Sequence, residues 1–251
     1  MRIALIGRGR VATHLLKALL QAGHEVVSVN SRTLEELPLE ADVYILSVKD
    51  SALQDVIHNA VKGREGQLFV HTAGSISMDL FKGCCARYGV LYPMQTFSLD
   101  REVNFREIPL FIEASDAATL QQIRALADSV SQHVYELSTA DRRYLHLAAV
   151  FACNFTNHCY ALAADVLAQK GLPFDVMLPL IDETARKVHE LHPTDAQTGP
   201  AVRGDQNVMD AQSALLDDRL ATIYMLMSES IKDEKERYDQ LRLKEDTGHR
   251  V

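Results

Sequence analysis

The 251-residue sequence has no apolar run long enough to cross a bilayer; the longest, through residues 145–155, is short and broken by polar groups. It shows no basic-then-apolar leader, because a strand pattern begins at residue 2, and a soluble, untargeted, cytoplasmic protein is the expectation. Cysteine is scarce. Cys84, Cys85, Cys153 and Cys159 form no C-x-x-C pair of the kind that holds zinc, and adjacent Cys84 and Cys85 are badly placed for a disulfide framework. Cys153 and Cys159 are expected as buried packing residues. Positive charge is not in excess either. With 26 basic and 34 acidic residues the formal charge is −8, which argues against nucleic acid and for a small-molecule partner. His189-Glu190-Leu191-His192 offers two imidazoles but no third ligand, and Pro193 ends the helix there, so no metal is expected. No internal repeat or low-complexity linker marks a boundary.

What the sequence does contain is two kinds of periodicity and, at 47% hydrophobic residues, enough apolar material for two cores. Runs rich in β-branched residues at 2–6, 25–29, 43–48, 68–71, 90–92, 110–113 and 133–136 alternate with helical patterns near 11–22, 51–61, 78–87 and 117–131. That alternation predicts a parallel sheet with helices on both faces, an α/β Rossmann domain over residues 1–138. Beyond residue 137 the strand pattern stops. Spacing near 3.6 over 142–170, 174–191 and 208 to about 243 predicts an all-α domain over 139–251, with Gly171-Leu172-Pro173 and His192-Pro193 as helix stops. The charged tail, 232–251, is expected to fray.

At the head of the chain, Ile3-Ala4-Leu5-Ile6 runs into Gly7-Arg8-Gly9-Arg10-Val11-Ala12 and then into a helix with Ala12, Leu15, Leu16 and Leu19 on one face. This is G-x-G-x-x-A in a strand-to-helix setting. Gly7 permits the tight turn, Gly9 lets backbone approach a pyrophosphate, and Ala12 lets the helix pack close to the strand. NAD binders place an acid about 20 residues beyond these glycines to take the ribose hydroxyls. Here the second strand ends in Asn30-Ser31-Arg32-Thr33, with no acid. Arg32 can pair with a 2′-phosphate and stack on adenine, Ser31 and Thr33 can donate hydrogen bonds, and Arg8 adds positive charge, so NADP(H) is the expected cofactor.

Residues 7–12 and 30–33, together with Ala41-Asp42-Val43-Tyr44-Ile45-Leu46-Ser47-Val48-Lys49-Asp50, resemble the NADP-binding domains of pyrroline-5-carboxylate reductase and deazaflavin-linked NADP oxidoreductases, members of the wider 6-phosphogluconate dehydrogenase-like group. The resemblance implies that Ser47, Val48 and Lys49 lie beside the dinucleotide. His71-Thr72-Ala73-Gly74-Ser75, Tyr92-Pro93-Met94-Gln95-Thr96-Phe97, Tyr144-Leu145-His146-Leu147-Ala148-Ala149-Val150 with Asn154, and Gly199-Pro200-Ala201-Val202-Arg203-Gly204-Asp205 resemble a bacterial family that joins a Rossmann-like half to a helical C-terminal domain of unassigned function. No substrate comes with that likeness. The catalytic lysine of hydroxyisobutyrate dehydrogenase-like relatives has no counterpart, since no lysine stands between Lys82 and Lys170.

Histidine is the natural substitute. Read as one helix, 142–170 brings His146, Val150, Asn154 and His158 to i, i+4, i+8 and i+12, where an imidazole and an amide could hold and protonate a carbonyl; satisfied polar groups in a helix interface would look the same. Thr72, Ala73, Gly74 and Ser75 follow a strand and should lie at the carboxyl edge of the sheet, where Ser75 or His71 could touch nicotinamide or substrate, or Ser75 could simply cap a helix. Arg203 could clamp a substrate carboxylate, with Asp205 orienting it or capping a helix, or the two could form a surface pair or dimer contact. The apolar surplus over 145–167, on more than one helix face, predicts a homodimer through the helical domain. The expected activity is an NADP(H)-dependent oxidoreductase acting on a small carbonyl or imine compound; a non-catalytic NADP(H)-binding or sensing protein is the alternative.

Overall fold

The computed structural model describes residues 1–248, and its chain divides into two compact units, residues 1–156 and residue 157 onward. In the first unit β1 (Arg2–Ile6), α1 (Arg10–Gln21), β2 (Glu25–Val29), β3 (Val43–Leu46), α2 (Asp50–Ala60), β4 (Leu68–His71), β5 (Arg87–Pro93), β6 (Leu110–Ala114), α3 (Ala117–Val130), β7 (Val134–Glu136) and α4 (Thr139–Ala149) follow in order. The seven strands form one sheet in the order β2-β1-β3-β4-β5-β6-β7. Strand alternation sets the layers. Ile3 and Leu5 of β1, Val43 and Ile45 of β3, and Leu68 and Val70 of β4 pack toward Leu15 and Leu19 of α1 and Ile123 and Leu126 of α3. Their neighbours Ala4, Ile6, Tyr44, Leu46 and Phe69 face the other way, onto Leu53 and Ile57 of α2 and onto Phe81. Each fully buried aliphatic side chain contributes about 1.5–3 kcal/mol, so a sheet covered on both faces is the rigid part of this unit.

The expected Rossmann architecture is present, with two departures. The sheet is not wholly parallel, because β6 runs antiparallel to β5, pairing Gly89 with Ala114 and Pro93 with Leu110. Residues 94–109 contain only a 3₁₀ turn, Phe105–Glu107, and no crossover helix, so the chain returns beside β5 in the reverse direction. The helix expected near 78–87 is a single 3₁₀ turn, Met78–Phe81, capped by Ser77, which accepts a hydrogen bond from the Asp79 amide. Beyond it the chain enters β5 at Arg87.

The helix expected over 142–170 is interrupted. After α4, Val150–Phe155 is a π-helical segment, followed by α5 (Thr156–Ala168). The Thr156 hydroxyl reaches back five residues to donate to the Phe151 carbonyl at 3.1 Å, and such a π turn rotates each residue less than an α step. The spacing from His146 to Asn154 is therefore not that of one unbroken α-helix.

The second unit is helical, with α5, α6 (Leu178–Lys187), the single turns α7 (Pro193–Ala196) and α8 (Pro200–Arg203), α9 (Gln206–Ser213) and α10 (Asp218–Gly248). The helix expected from 208 to 243 breaks at residues 214–217, where the Asp217 carboxylate accepts from the Leu220 amide and starts α10 afresh. Of the tail expected to fray, residues up to 248 continue α10, and 249–251 lie outside the described residues. His192 serves as the N-cap of α7 and stacks on Tyr238 at 4.7 Å. Cys153 and Cys159 are exposed, contrary to expectation, because the helix surfaces that carry them are uncovered within their units.

Candidate active site

Chain order reverses between β1 and β3, the position at which open α/β sheets bind ligands outside the carboxyl ends of their strands. Four segments meet along that edge. Gly7 takes φ of +127°, and its amide donates to the Val29 carbonyl at 2.9 Å, tying the end of β1 to the end of β2. A Cβ on Gly7 would lie 2.1 Å from the Ser47 carbonyl oxygen, so the turn closes directly against the loop after β3. Gly9 caps α1 without any side-chain hydrogen bond, and a Cβ there would meet nothing within 4 Å. The amides of Arg10, Val11 and Ala12 thus form an uncapped positive helix end facing open space, the cradle a pyrophosphate requires. Ala12 is buried against the sheet, as its small size allows.

Beyond β2, the Asn30 side chain accepts from the Arg32 amide at 3.0 Å and its carbonyl from the Thr33 amide at 3.0 Å. This turn leaves the Arg32 and Thr33 side chains exposed and Ser31 half-buried. Arg8, Arg10, Arg32 and Lys49 are all exposed, and none is ion-paired among the described residues. Ser47 is buried and accepts from the Thr72 hydroxyl at 3.1 Å, joining the loop after β3 to the loop after β4, with Val48 half-buried beside Gly7. Ser75 donates to Asp50 at 3.2 Å; it caps no helix.

The loop after β4 also meets the chemistry-bearing end of α4. Gly74 is so tightly packed that a Cβ would fall 2.6 Å from His146 Nδ1 and 2.8 Å from the Tyr92 ring. Tyr92, next to last in β5, sits with its hydroxyl 3.1 Å from His146 Nδ1. Beneath them lies Arg142, fully buried. Its Nε donates to the Gly74 carbonyl, Nη2 to the Ile76 carbonyl and the Thr139 hydroxyl, and Nη1 to Glu113 at 2.6 Å. Glu113 also accepts from the Thr139 amide and hydroxyl. Burial works against its charge, but these donors and the guanidinium outweigh burial and hold the carboxyl below its usual range. Arg143 adds a further bond to the Ser75 carbonyl. One arginine thus fixes α4, β6 and the loop after β4 to one another.

His71 does not reach toward ligand. Fully buried, it accepts from the Ala73 amide at Nδ1, stacks on Phe81, and its Nε2 faces the Ser77 carbonyl. Burial first, and the Arg142 charge second, depress the imidazole to about 4. Asn154 is exposed in the π segment, with no hydrogen bond to its amide among the described residues. Arg203 lies in the second unit, where it donates to Asp205 at 2.8 Å; Asp205 makes no capping bond with its side chain. Arg142 and Tyr92 are the residues missed by the sequence reading. A buried arginine carries no local signature, while Tyr92 lies in one of the blocks that bear the family resemblance.

Comparison with known proteins gives the family. Residues 2–39 match the family described as NADP oxidoreductase, coenzyme F420-dependent, and residues 108–231 match a domain of unknown function, DUF2520. A Bacteroides fragilis protein provisionally named an NADP oxidoreductase is 48% identical, with 92% of this chain and 98% of that one aligned and a TM-score of 0.88. The chain belongs to this family of NADP oxidoreductases. Its dinucleotide is NADP, in keeping with the lack of an acid after β2. A Myxococcus stipitatus imine reductase solved with NADP+ shares the fold at 17% identity, covering 94% of this chain and 95% of its own, TM-score 0.68. A 1-pyrroline-5-carboxylate reductase from Streptococcus pyogenes does so at 17% identity, covering 93% and 98%, TM-score 0.62. No protein of curated function matches the sequence.

Proposed function

We propose that the protein transfers a hydride between NADP(H) and a small carbonyl or imine compound at the carboxyl edge of the first unit's sheet. The observation that carries this reading is the continuity of that edge: the open, uncapped turn at Gly9, the loops after β3 and β4, and the Tyr92–His146 pair against Gly74 form one run. The pyrophosphate would rest on the amides of residues 10–12, and the 2′-phosphate on Arg32 with Ser31 and Thr33. Ser47, Val48 and Lys49 would flank the dinucleotide, and Thr72, Ala73, Gly74 and Ser75 would border its nicotinamide end. Bound there, the reduced cofactor supplies the hydride. His146 is the residue that gives a hydrogen bond or proton to the substrate nitrogen or oxygen as charge develops on it. Asn154 is assigned a lesser part, a substrate contact.

The second unit takes a second copy of this chain as its partner. Among its described residues only Ala201, Met209 and Leu220 are buried apolar ones, whereas Val166, Leu178, Leu180, Met225 and Leu226 are exposed. A groove of about 580 Å³ lined by Leu162, Val166, Met177, Ile223 and Met227 crosses it. A helical unit with so small a core of its own needs apolar cover, and a self-complementary homodimer gives it.

Turnover tests the reading. Offered keto acids, imines and aldehydes, the wild type should oxidise NADPH, and His146→Gln should lower kcat about 10²–10⁴-fold with little change in NADPH affinity. Tight NADPH binding with no turnover across the panel would favour a binding or sensing role.

A further inference from the structure

We infer that Tyr92 is a positioning residue that holds His146 as its Nε2–H tautomer, so that the imidazole presents a donor, not an acceptor, to the substrate atom that gains negative charge. The inference rests on the role given to His146 above. Tyr92 is 8% exposed, and its hydroxyl has one hydrogen-bonding neighbour among the described residues, His146 Nδ1 at 3.1 Å. The two rings meet edge to face at 69°. Burial raises the Tyr92 phenol above its usual value, with Arg142 of α4 pulling it down and Cys153 of the π segment pushing it up. The phenol therefore keeps its proton at neutral pH and must place it somewhere.

Arg142 cannot take that proton, being a donor whose own hydrogens go to Gly74, Ile76, Thr139 and Glu113. Giving it to His146 Nδ1 satisfies both groups. A neutral imidazole that accepts at Nδ1 carries its hydrogen on Nε2. The opposite arrangement, Nδ1–H donating to the phenol oxygen, would strand a buried hydroxyl hydrogen without a partner. His146 is half-buried, and its Nε2 has no hydrogen bond among the described residues, so the fixed N–H is the one left for a ligand. Gly74 locks the arrangement from below, because a side chain there would collide with both rings.

The test reads the tautomer directly. Long-range proton–nitrogen correlation of the histidine rings, recorded at alkaline pH where imidazoles are neutral and assigned through His146→Gln, should show a pyridine-like Nδ1 and a pyrrole-like Nε2 for His146. Tyr92→Phe keeps the ring packing and removes the hydroxyl, and should give a mixture of tautomers. For any substrate that the wild type reduces, the same variant should lower kcat about 10- to 100-fold and leave NADPH affinity within about twofold. A pyrrole-like Nδ1 in the wild type, or an unchanged Nε2–H tautomer in Tyr92→Phe, overturns the inference. The spectra require neither cofactor nor substrate, so a protein that failed to bind NADPH would sink the proposed function while leaving this result readable.

Discussion

The two units solve the same problem differently. In the first, strands with side chains on alternate faces are covered by α1 and α3 on one side and by α2 on the other, so both apolar faces find partners within the unit. In the second, α5 and α6 contain no buried residue at all. Apolar side chains thus form a self-sufficient core in one case and a largely uncovered surface in the other. A closed α/β layer can carry a site alone, whereas the proposed homodimer would complete a helical unit of this kind.

The sharpest way to break that contrast is through Arg142, the side chain that ties the site into the closed unit. Arg142→Leu would leave Glu113 without its cation and free the Gly74 and Ile76 carbonyls, at a cost of about 3–5 kcal/mol in denaturant unfolding. A loss below about 1 kcal/mol would show that the loop after β4 is held by something else.

The units should also differ in how stability responds to concentration. Leu5→Ala, in the sheet, should cost about 2–5 kcal/mol at any protein concentration. Met227→Glu, in the groove of the second unit, should act on association instead. Light scattering should report twice the chain mass for the wild type and a shift toward monomer for the variant, with a midpoint of unfolding that rises with concentration only in the former. Wild-type protein that remains monomeric at micromolar concentration would contradict the proposed cover.

Acid offers a gentler probe of the first unit. His71 is held near 4 when folded and titrates near 6.5 when unfolded, so between those values the unfolded chain binds more protons. Stability should therefore fall as pH drops from about 6.5 to about 4, by roughly 3 kcal/mol from this residue. Glu113, also depressed, adds its loss only as pH falls below the ordinary carboxylate range. In His71→Gln the upper part of this acid limb should flatten, and an unchanged slope would remove His71 as its cause.

The same contrast governs what could be read in advance. The turn at residues 7–12 was legible because glycine between a strand and a helix is a local signal, and the phosphate contacts proposed for residues 30–33 rest on equally local chemistry, arginine where an acid would repel. Strands 2–6 and 25–29 were legible because alternation and β-branching are local too. The antiparallel return of β6 was not, since direction depends on how residues 94–109 travel and not on the strand's own pattern. Apolar spacing continued smoothly through Val150–Phe155 and concealed a π turn produced by backbone bonding. Arg142 stayed hidden for a related reason: its sequence neighbours suggest a solvated helix face, and only the fold brings Glu113 and two carbonyls around it.

The central claim, that the edge of the first unit's sheet holds NADP with its 2′-phosphate on Arg32, is tested most directly by calorimetric titration of NADPH and NADH into the wild type and Arg32→Ala. The wild type should bind NADPH more tightly than NADH, and the variant should lose about 1.5–3 kcal/mol of that preference with NADH affinity little changed. Equal affinity of the wild type for the two cofactors, or an undiminished preference in Arg32→Ala, would contradict it.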